Sequence, residues 1–503
     1  MNGLFLPLLL FWLLPSTTYK ILQNVCVPKN PLRTVKDYYR SGDLIIGGNL
    51  LLEKFALFEA LEFDHQPSKS PITRSTTFKN YQLFLALVLA VTKINKDLVL
   101  FPNITLGFHI YDNKDSVRRI SWNSLSLLST RGRMVPDYKC DKQDTLLSVI
   151  GGLNSQHSRQ MASIFSIFKV PQLGFHFLKF TQGDRIVFPS FFRISSNEFP
   201  QYRGLVQLLL HFQWNWVGLL APEGDRGEHF ISSLRPMLEE KEICLAFTQT
   251  VKHEPYSFTP SEYIPLIKSW FKAEVIILFG EYKCISTIYI SLHLFETWTK
   301  IAFRKVWILT SHWEISIYHQ TLELKKPFHG ALHFMDHSHD FPEFRRFLLS
   351  LDPLNPQGDV FLARWWEDAF DCKIHKPGMI LEKEEKQCTG KESLQNLPSF
   401  VFETNMAGES YIIYNGVYAV AHALHAMCAS RAQLAMLRFR KRISNVHSWQ
   451  GIKRHSRKQM STHSKMTKWG SAGKPYFIRN VHAATFYCLG IWEGGVSFGS
   501  HIS

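Results

Sequence analysis

The segment VIGGLNS, Val149–Ser155, joins an apolar run to a helical pattern and decides the fold class. Leu147–Gly151 has the continuous apolar character of a buried strand, and Ser155–Phe168 has the apolar spacing of a helix. The glycines let the backbone approach a ligand closely, and Ser155 brings a hydroxyl to a helix start whose backbone N–H groups attract anions. The segment therefore predicts an anion or carboxylate site, although a helix cap formed by Asn154 or Ser155 explains the same residues equally well.

The strand-then-helix pattern of this segment recurs along the chain. The further pairs are Asp43–Gly48 before Phe78–Asn95, Ile104–Tyr111 before Ser116–Leu128, Val217–Leu220 before Glu228–Glu240, and Val275–Phe279 before Ser286–Phe295. Such alternation predicts an α/β fold with parallel sheets and right-handed crossovers. In open parallel sheets the binding crevice lies beyond the carboxyl ends of the strands.

Length and charge restrict the possible classes of protein. The 503 residues are more than one ordinary domain, so at least two hydrophobic cores are expected. Taken as a whole, the net charge of +15 suggests a polyanion partner, but the distribution of the charge along the chain does not. Residues 431–503 contain 13 basic residues and one acidic residue, giving +12, which leaves only +3 for the first 430 residues. We therefore expect no nucleic-acid partner.

The first 18 residues predict a secretory signal peptide. An apolar run, Leu4–Leu14, is followed by Pro15 and small polar residues. A buried N-terminal strand or helix is the alternative. No later segment has the roughly 20 apolar residues that a membrane-spanning helix needs.

The cysteines and one sequon agree with an oxidising compartment. Cys372 and Cys388 flank a polar loop, and we predict that they form a disulfide worth about 3 kcal/mol. Asn103 begins an Asn-Ile-Thr glycosylation sequon. The pairing of the other cysteines stays open; they are Cys26, Cys140, Cys244, Cys284, Cys428 and Cys488.

Enzymatic, metal and cofactor chemistry is not expected. The sequence has no nucleophile elbow, zinc-protease helix, phosphate loop or dinucleotide fingerprint. The predicted protein is therefore not an enzyme, and we assign it no metal and no cofactor.

Several ordered motifs resemble the ectodomains of class C G-protein-coupled receptors. The shared motifs are Asn95–Asp97 with Leu100–Gly107, Val149–Gly152 with Ser155 and Val170–Gln172, Trp214–Val217, Trp307–Trp313 and Tyr411–His425. Within that class, Lys36–Tyr39, Gly42–Gly48 and Phe188–Phe191 are most similar to vomeronasal type-2 receptors. The resemblance covers residues 26–433. It also implies that a cluster with the chemistry of zinc ligands is a structural strand; the cluster consists of His333, Asp336, His337 and His339.

The resemblance implies a two-lobed Venus flytrap related to periplasmic binding proteins, in which ligand closes two α/β lobes about a hinge. Residues 43–186 and 330–433 are expected to form lobe one, and residues 187–326 to form lobe two. Residues 434–503 are basic and lack a clear apolar period, so we expect them not to supply the family's final flytrap strands. On that expectation the 503-residue chain would be poorly secreted when expressed by itself.

By matching positions, the resemblance also implies which residues of lobe one contact the ligand. Ser155, with Gly152 and Asn154 beside it, matches the serine that holds an amino acid's carboxylate in glutamate-type members. His176 and Leu178 stand in a turn where those members place a second hydroxyl, so part of that site is altered.

Two further positions belong to lobe two. Arg226 stands where glutamate-type members stack a tyrosine on the ligand, and Ser311 stands where they place an acid for the ligand's amino group. Because a buried ammonium without a counter-charge is unfavourable, a simple α-amino acid fits poorly. A peptide, a small protein or another chemosensory cue is the expected ligand.

The function implied by the resemblance is that of the extracellular ligand-binding region of a vomeronasal-type pheromone receptor. A homodimer or heterodimer through lobe one is expected, and Cys140 either pairs with Cys26 or crosslinks two protomers. A G protein is a partner only where a transmembrane module is present. The expected location is the secretory pathway, and the plasma membrane as part of a full-length receptor.

A soluble secreted binding protein and a non-functional receptor fragment stay as alternatives. On those alternatives, residues 434–503 arise from an alternative exon, a truncated gene model or a pseudogene.

Overall fold

The structure is a computed structural model that describes most of the chain between residues 37 and 499. The described residues are 37–56, 73–76, 78–101, 104–131, 134–136, 144–175, 182–194, 198–251, 260–280, 282–310, 328, 330–335, 341–375, 386–397, 402, 404–435, 477–480, 488–492 and 495–499. The predicted signal peptide, the glycosylation sequon residue Asn103 and the cysteines Cys26 and Cys140 lie outside them.

The described strands build two large sheets and one small hairpin. In chain order they are β1 (Asp37–Arg40), β2 (Leu44–Leu50), β3 (Glu53–Ala56), β4 (Thr73–Thr76), β5 (Leu106–Asp112), β6 (Thr145–Gly151), β7 (Gln172–Gly174), β8 (Phe191–Arg193), β9 (Trp216–Pro222), β10 (Cys244–Val251), β11 (Val275–Leu278), β12 (Val306–Leu309), β13 (Leu332–Met335), β14 (Phe477–Asn480), β15 (Cys488–Trp492) and β16 (Gly495–Gly499). β3 and β4 pair with each other as the hairpin.

Helices alternate with these strands over most of the chain. They are α1 (Tyr81–Lys96), α2 (Val117–Leu127), α3 (Ser155–Ile167), α4 (Gln182–Val187), α5 (Phe199–His211), α6 (Asp225–Glu239), α7 (Pro260–Trp270), α8 (Tyr282–Thr299), α9 (Pro342–Leu349), α10 (Leu362–Phe370) and α11 (Gly408–Ala435). The predicted α/β fold class is confirmed.

The first sheet has the strand order β1-β5-β2-β6-β7-β8. All of its neighbours pair in parallel except β1, which runs antiparallel to β5. β2 is buried along its whole length, as expected for a strand covered on both faces.

The second sheet has the order β10-β9-β11-β12-β13-β14-β15-β16. The strands from β10 to β13 are parallel, and β14, β15 and β16 extend the sheet as antiparallel neighbours. Apolar side chains pack on both faces of the parallel part, around Leu219 and Phe230 on one face and around Trp270 and Trp307 on the other.

The core of the first sheet is built around α1. Tyr81–Val91 is buried without a break, because this helix lies between the sheet and α11 rather than at the surface. Gln82 is the polar residue in that run, and its amide oxygen accepts hydrogen bonds from the Ala407 N–H and the Ser410 hydroxyl at 2.7 and 2.8 Å. These contacts join two helix starts that are more than 320 residues apart in the chain.

The chain passes between the sheets later than the sequence suggested. Phe191–Arg193 is still in the first sheet, so the first crossing follows residue 193 rather than 187. Leu332–Met335 still pairs within the second sheet, so the return comes after residue 335 rather than at residue 330. Short strands next to a crossing carry too few residues for their sheet to be assigned from periodicity.

Residues 434–503, which we expected not to supply the family's final flytrap strands, do contribute strands to the second sheet. Phe477–Asn480 pairs with β13, and two further strands follow it in the same sheet. The basic charge of this segment, averaged over about 70 residues, hides apolar runs that are only four or five residues long.

The predicted disulfide between Cys372 and Cys388 is present, with 5.1 Å between their Cα atoms. Among the described residues, Cys244 is an exposed free thiol, and Cys428 is partly buried. Within the described part of the chain, no helix combines the length and apolar character needed to cross a membrane.

Candidate functional site

The turn between β6 and α3 has a backbone that requires glycine. Gly152 has φ +84°, and a Cβ at this position would lie 2.4 Å from the Ser158 hydroxyl oxygen. That hydroxyl donates to the Gly152 carbonyl oxygen at 2.8 Å. The glycine therefore lets the first turn of α3 fold back against the end of the strand.

Asn154 is the cap of α3. Its side-chain oxygen accepts a hydrogen bond from the His157 N–H at 2.8 Å, and its backbone is extended, as a capping residue requires. Of the two cap candidates left open by the sequence, the structure selects Asn154. Ser155 is then the first residue of the helix and is half-buried at the carboxyl end of β6.

The neighbouring strands bring further groups to the same edge of the first sheet. The Phe175 N–H donates to the Gly152 carbonyl oxygen at 3.2 Å, so the end of β7 lies beside the glycine turn. Gly174 is in register with Arg193, which places this arginine at the end of β8. The turn, Phe175 and Arg193 thus follow one another along the carboxyl edge.

The polar residues behind this edge were not predicted from the sequence. Asp112, buried at the end of β5, accepts from the Leu52 and Lys114 N–H groups at 2.9 and 3.1 Å. The buried imidazole of His157 lies 3.2 Å from the Asp115 carboxylate. The sequence does indicate polar groups at this edge, because a polar run from Asp112 to Asp115 directly follows a buried strand.

The corresponding edge of the second sheet carries Arg226. It lies in the first turn of α6, after Gly224 with φ +106°, and its guanidinium is centred 5.3 Å from the middle of the Phe279 ring. The turn is tight, since a Cβ on Gly227 would lie 1.8 Å from the Pro222 carbonyl oxygen. Thr310 follows β12 at this edge and donates its N–H to the Leu278 carbonyl oxygen at 3.3 Å.

A tyrosine and a glutamate lie near Arg226, where the chain enters the second sheet. The Tyr202 hydroxyl donates to the Glu198 carboxylate at 2.7 Å. Burial raises the pKa of Tyr202, and Glu198 raises it further, whereas the positive charges of Arg226 and Arg193 lower it.

The structure describes four of the seven predicted ligand-site residues. Gly152, Asn154 and Ser155 lie together at the carboxyl edge of the first sheet, and Arg226 lies at the carboxyl edge of the second. The remaining three, His176, Leu178 and Ser311, lie outside the described residues. Among the described residues, no three His, Cys, Asp or Glu side chains are grouped to hold a metal ion.

A family model described as the receptor family ligand binding region matches residues 82–482. That range spans both sheets and reaches β14, the first strand of the basic segment. The matched family is a ligand-binding region and not an enzyme family.

Relatives with similar sequences include receptors of three kinds. Vomeronasal type-2 receptor 26 of Mus musculus is 30% identical over 410 residues, which cover 79% of this chain and 46% of the relative. The extracellular calcium-sensing receptor of Homo sapiens is 23% identical over 445 residues, 82% of this chain and 40% of the relative. Metabotropic glutamate receptor 8 of Rattus norvegicus is 27% identical over 363 residues, 69% of this chain and 38% of the relative. The chain thus spans less than half the length of these relatives.

Proposed function

The chain belongs to the family of class C receptor ligand-binding regions, and from that membership we propose that it is the ligand-binding region of a vomeronasal-type chemosensory receptor. The first sheet with its helices is lobe one and the second sheet is lobe two. Ligand binds between the carboxyl edges of the two sheets and draws the lobes together.

The glycine turn before Ser155 is the observation that carries this proposal. Gly152 adopts a backbone that other residues rarely adopt, and Asn154 takes the capping role. Carboxyl edges of parallel strands are the usual binding position in open α/β sheets. Ser155 at the start of α3 suits an anionic or carboxylate group of the ligand.

The proposed ligand is larger than a free amino acid. Arg226 brings a positive charge to the edge of lobe two, and a cation there disfavours the ammonium group of an α-amino acid. A peptide, a small protein or another chemosensory cue offers groups other than a free ammonium at this position.

Dimerisation through lobe one and entry into the secretory pathway are part of the same proposal. Both are properties of the class C family rather than of residues described in this chain. A G protein is engaged only by a form of the receptor that includes a transmembrane module.

The proposal is tested by ligand-dependent stabilisation of the secreted chain. A library of short synthetic peptides and a set of free amino acids are screened for an increase in melting temperature, because a ligand that binds only the folded state raises it. We expect peptides to stabilise the wild type, and Ser155→Ala to weaken the effect.

Ser163→Ala is the matched control, since Ser163 is on the same helix but exposed, with its hydroxyl bonded to the Gln160 carbonyl oxygen. An equal response in the Ser155 and Ser163 variants would contradict the proposed site. Stabilisation by free amino acids alone would contradict the proposed ligand class.

A further inference from the structure

We propose that His157 positions Ser155 in the candidate site by holding the first turn of α3 against Asp115. The proposal rests on the function proposed above and adds to it the contact that places the hydroxyl of Ser155. The imidazole of His157 is buried, and its Nε2 atom lies 3.2 Å from Oδ1 of Asp115. Asp115 lies just before α2, so the contact joins the starts of two neighbouring helices.

The first turn of α3 owes its shape to two internal hydrogen bonds. The His157 N–H donates to the Asn154 side-chain oxygen at 2.8 Å. The Ser158 hydroxyl donates to the Gly152 carbonyl oxygen, also at 2.8 Å. Both bonds join residues of the same short segment, so neither of them holds the segment against a neighbouring element.

Two contacts with neighbouring elements set the orientation of this turn. On the side of β7, the Gln172 amide nitrogen donates to the Ser158 carbonyl oxygen at 3.2 Å. On the side of α2, the contact is that of His157 with Asp115. Ser155 and His157 belong to the same helical turn. Loss of the His157 contact therefore lets this turn, with Ser155, pivot about the Gln172 bond.

Asp115 is held beside His157 by a turn with an uncommon backbone. Lys114 and Asp115 have φ +53° and +55°, in the left-handed region that residues other than glycine rarely adopt. The Asp112 carboxylate accepts the Lys114 N–H at 3.1 Å. The Asn113 side-chain oxygen accepts the Asp115 N–H at 3.0 Å. Because backbone strain persists only where surrounding contacts fix it, the turn keeps the carboxylate at a fixed position beside α3.

The geometry also defines which ring nitrogen of His157 carries the hydrogen. A carboxylate accepts hydrogen bonds and donates none, so the Asp115 contact calls for a hydrogen on Nε2. Nδ1 is buried, and no group in the described part of the chain forms a hydrogen bond with it. A glutamine side chain also presents an N–H group and can replace the imidazole in this contact, whereas a leucine side chain cannot.

The test uses the full chain with a reporter thiol in place of the Ser155 hydroxyl. Ser155→Cys is alkylated in parallel by iodoacetate and by iodoacetamide, and peptide mass spectrometry gives the two rates at residue 155. Both reagents react with the thiolate, so the ratio of the rates cancels thiolate content and reports the attraction of an anion to the start of α3. We expect His157→Leu to lower this ratio about threefold, because residue 155 leaves the helix start, and His157→Gln to restore it.

Gln160→Ala is the matched control, since Gln160 donates its amide to the Ser121 hydroxyl oxygen at 2.8 Å and joins the same two helices further along α3. It should lower the melting temperature and leave the ratio unchanged. Asp115→Gly separates position from charge and serves where His157→Leu does not fold. Loss of a negative charge alone would raise the ratio, whereas loss of the contact lowers it, and glycine relieves the backbone strain.

An equal ratio in His157→Leu and Gln160→Ala would overturn the positioning role, as would a raised ratio in Asp115→Gly or no recovery in His157→Gln. These outcomes are distinguishable from failure of the proposed function. Peptides that bind in a Ser155-dependent way, with the same affinity and the same alkylation ratio in His157→Leu, would overturn the positioning role and leave the function standing. A ratio that falls in both His157→Leu and Asp115→Gly, without a response to any peptide, would support the positioning role and contradict the peptide receptor.

Discussion

Tyr81 and Asp359 form a buried hydrogen bond of 2.6 Å between the start of α1 and the segment that leads into α10. Burial raises the pKa of Tyr81 well above its usual range, and Asp359 adds to this effect. Asp359 also accepts the Phe361 and Leu362 N–H groups at 2.9 and 3.2 Å, so one carboxylate orders both elements. The core beside the first sheet is thus held together by a contact between residues that are 278 positions apart in the chain.

The first prediction concerns Gln82, which makes a second contact of this kind. Its amide nitrogen donates to the Asn405 carbonyl oxygen at 2.8 Å, in addition to the two bonds accepted by its oxygen. We expect Gln82→Ala to lower the free energy of unfolding by about 2 to 4 kcal/mol, because the buried partners lose their hydrogen bonds. Urea denaturation measures the change, with Ser410→Ala as the control that removes one bond and costs about 1 kcal/mol. Equal effects of the two variants would contradict this account.

The second prediction compares Gly152 and Gly224, the glycines at the carboxyl edges of the two sheets. Both Gly152 and Gly224 have a positive φ, but only at Gly152 would a Cβ collide, while the space around Gly224 is open. Gly224→Ala should cost about 1 kcal/mol from backbone strain alone, and Gly152→Ala about 3 kcal/mol or more. Thermal unfolding of the two variants gives the comparison. A smaller loss in Gly152→Ala than in Gly224→Ala would show that the turn is not packed as described.

The third prediction is a dependence of stability on acid pH. Burial alone would raise the pKa of Asp37, but hydrogen bonds from His109 and Arg131 outweigh it and lower that pKa to about 2. Since the folded-state pKa is below the unfolded value, the stabilisation is present above about pH 4 and is lost as the pH falls towards 2. After a discount for solvent screening, it amounts to about 1 to 2 kcal/mol.

The measurement is the free energy of unfolding of wild type and Asp37→Asn between pH 5 and pH 2. The difference between them should shrink as the pH falls, whereas Asp368→Asn, which changes a partly exposed residue paired with Arg364 at 3.8 Å, should give a small difference. A difference between wild type and Asp37→Asn that grows on acidification would refute the role of Asp37.

The fourth prediction concerns the disulfide. Replacing Cys372 and Cys388 together by Ser should lower the free energy of unfolding by about 3 kcal/mol, because the unfolded chain regains the freedom of a 16-residue loop. Cys244→Ser, at an exposed free thiol, is the control with little expected effect. Peptide mapping without reductant should recover the two cysteines in one linked fragment, and recovery of either one in another linkage would contradict the structure.

The fifth prediction concerns the last strands. Ending the chain after residue 476 removes β14, which pairs with β13 from Leu332 to Met335. The amides of β13 should then exchange hydrogen faster, while those of β5 in the first sheet keep their protection. Unchanged protection of β13 would show that the strands after residue 476 do not complete the second sheet.

Much of the fold was predictable because parallel strands buried on both faces have a strong apolar signal. The glycine turn before Ser155 was also predictable, since Gly-Gly between an apolar run and a helical pattern is typical of the loop that follows a parallel strand. The contacts of Gln82 and Asp359 were not, because both depend on partners hundreds of residues away. Periodicity reports which side of an element is apolar and carries no information on such pairs.

The last strands were missed for a different reason. Cys488–Trp492 and Gly495–Gly499 are short apolar runs separated by two residues that include a glycine, which is a hairpin signal. The high net positive charge of the surrounding segment masks this local pattern. In the candidate site, the position of Arg193 at the carboxyl edge follows only from its register with Gly174, which the sequence does not specify.

The central claim is that ligand draws the two lobes together, and the most direct measurement is the distance between them. Fluorophores introduced by genetic code expansion at Ser163 and Ser232, exposed residues of α3 and α6, report that distance through energy transfer. The account predicts that a stabilising peptide increases the transfer in wild type and that Ser155→Ala abolishes the increase. A peptide that raises the melting temperature through Ser155 while the transfer stays constant would contradict lobe closure.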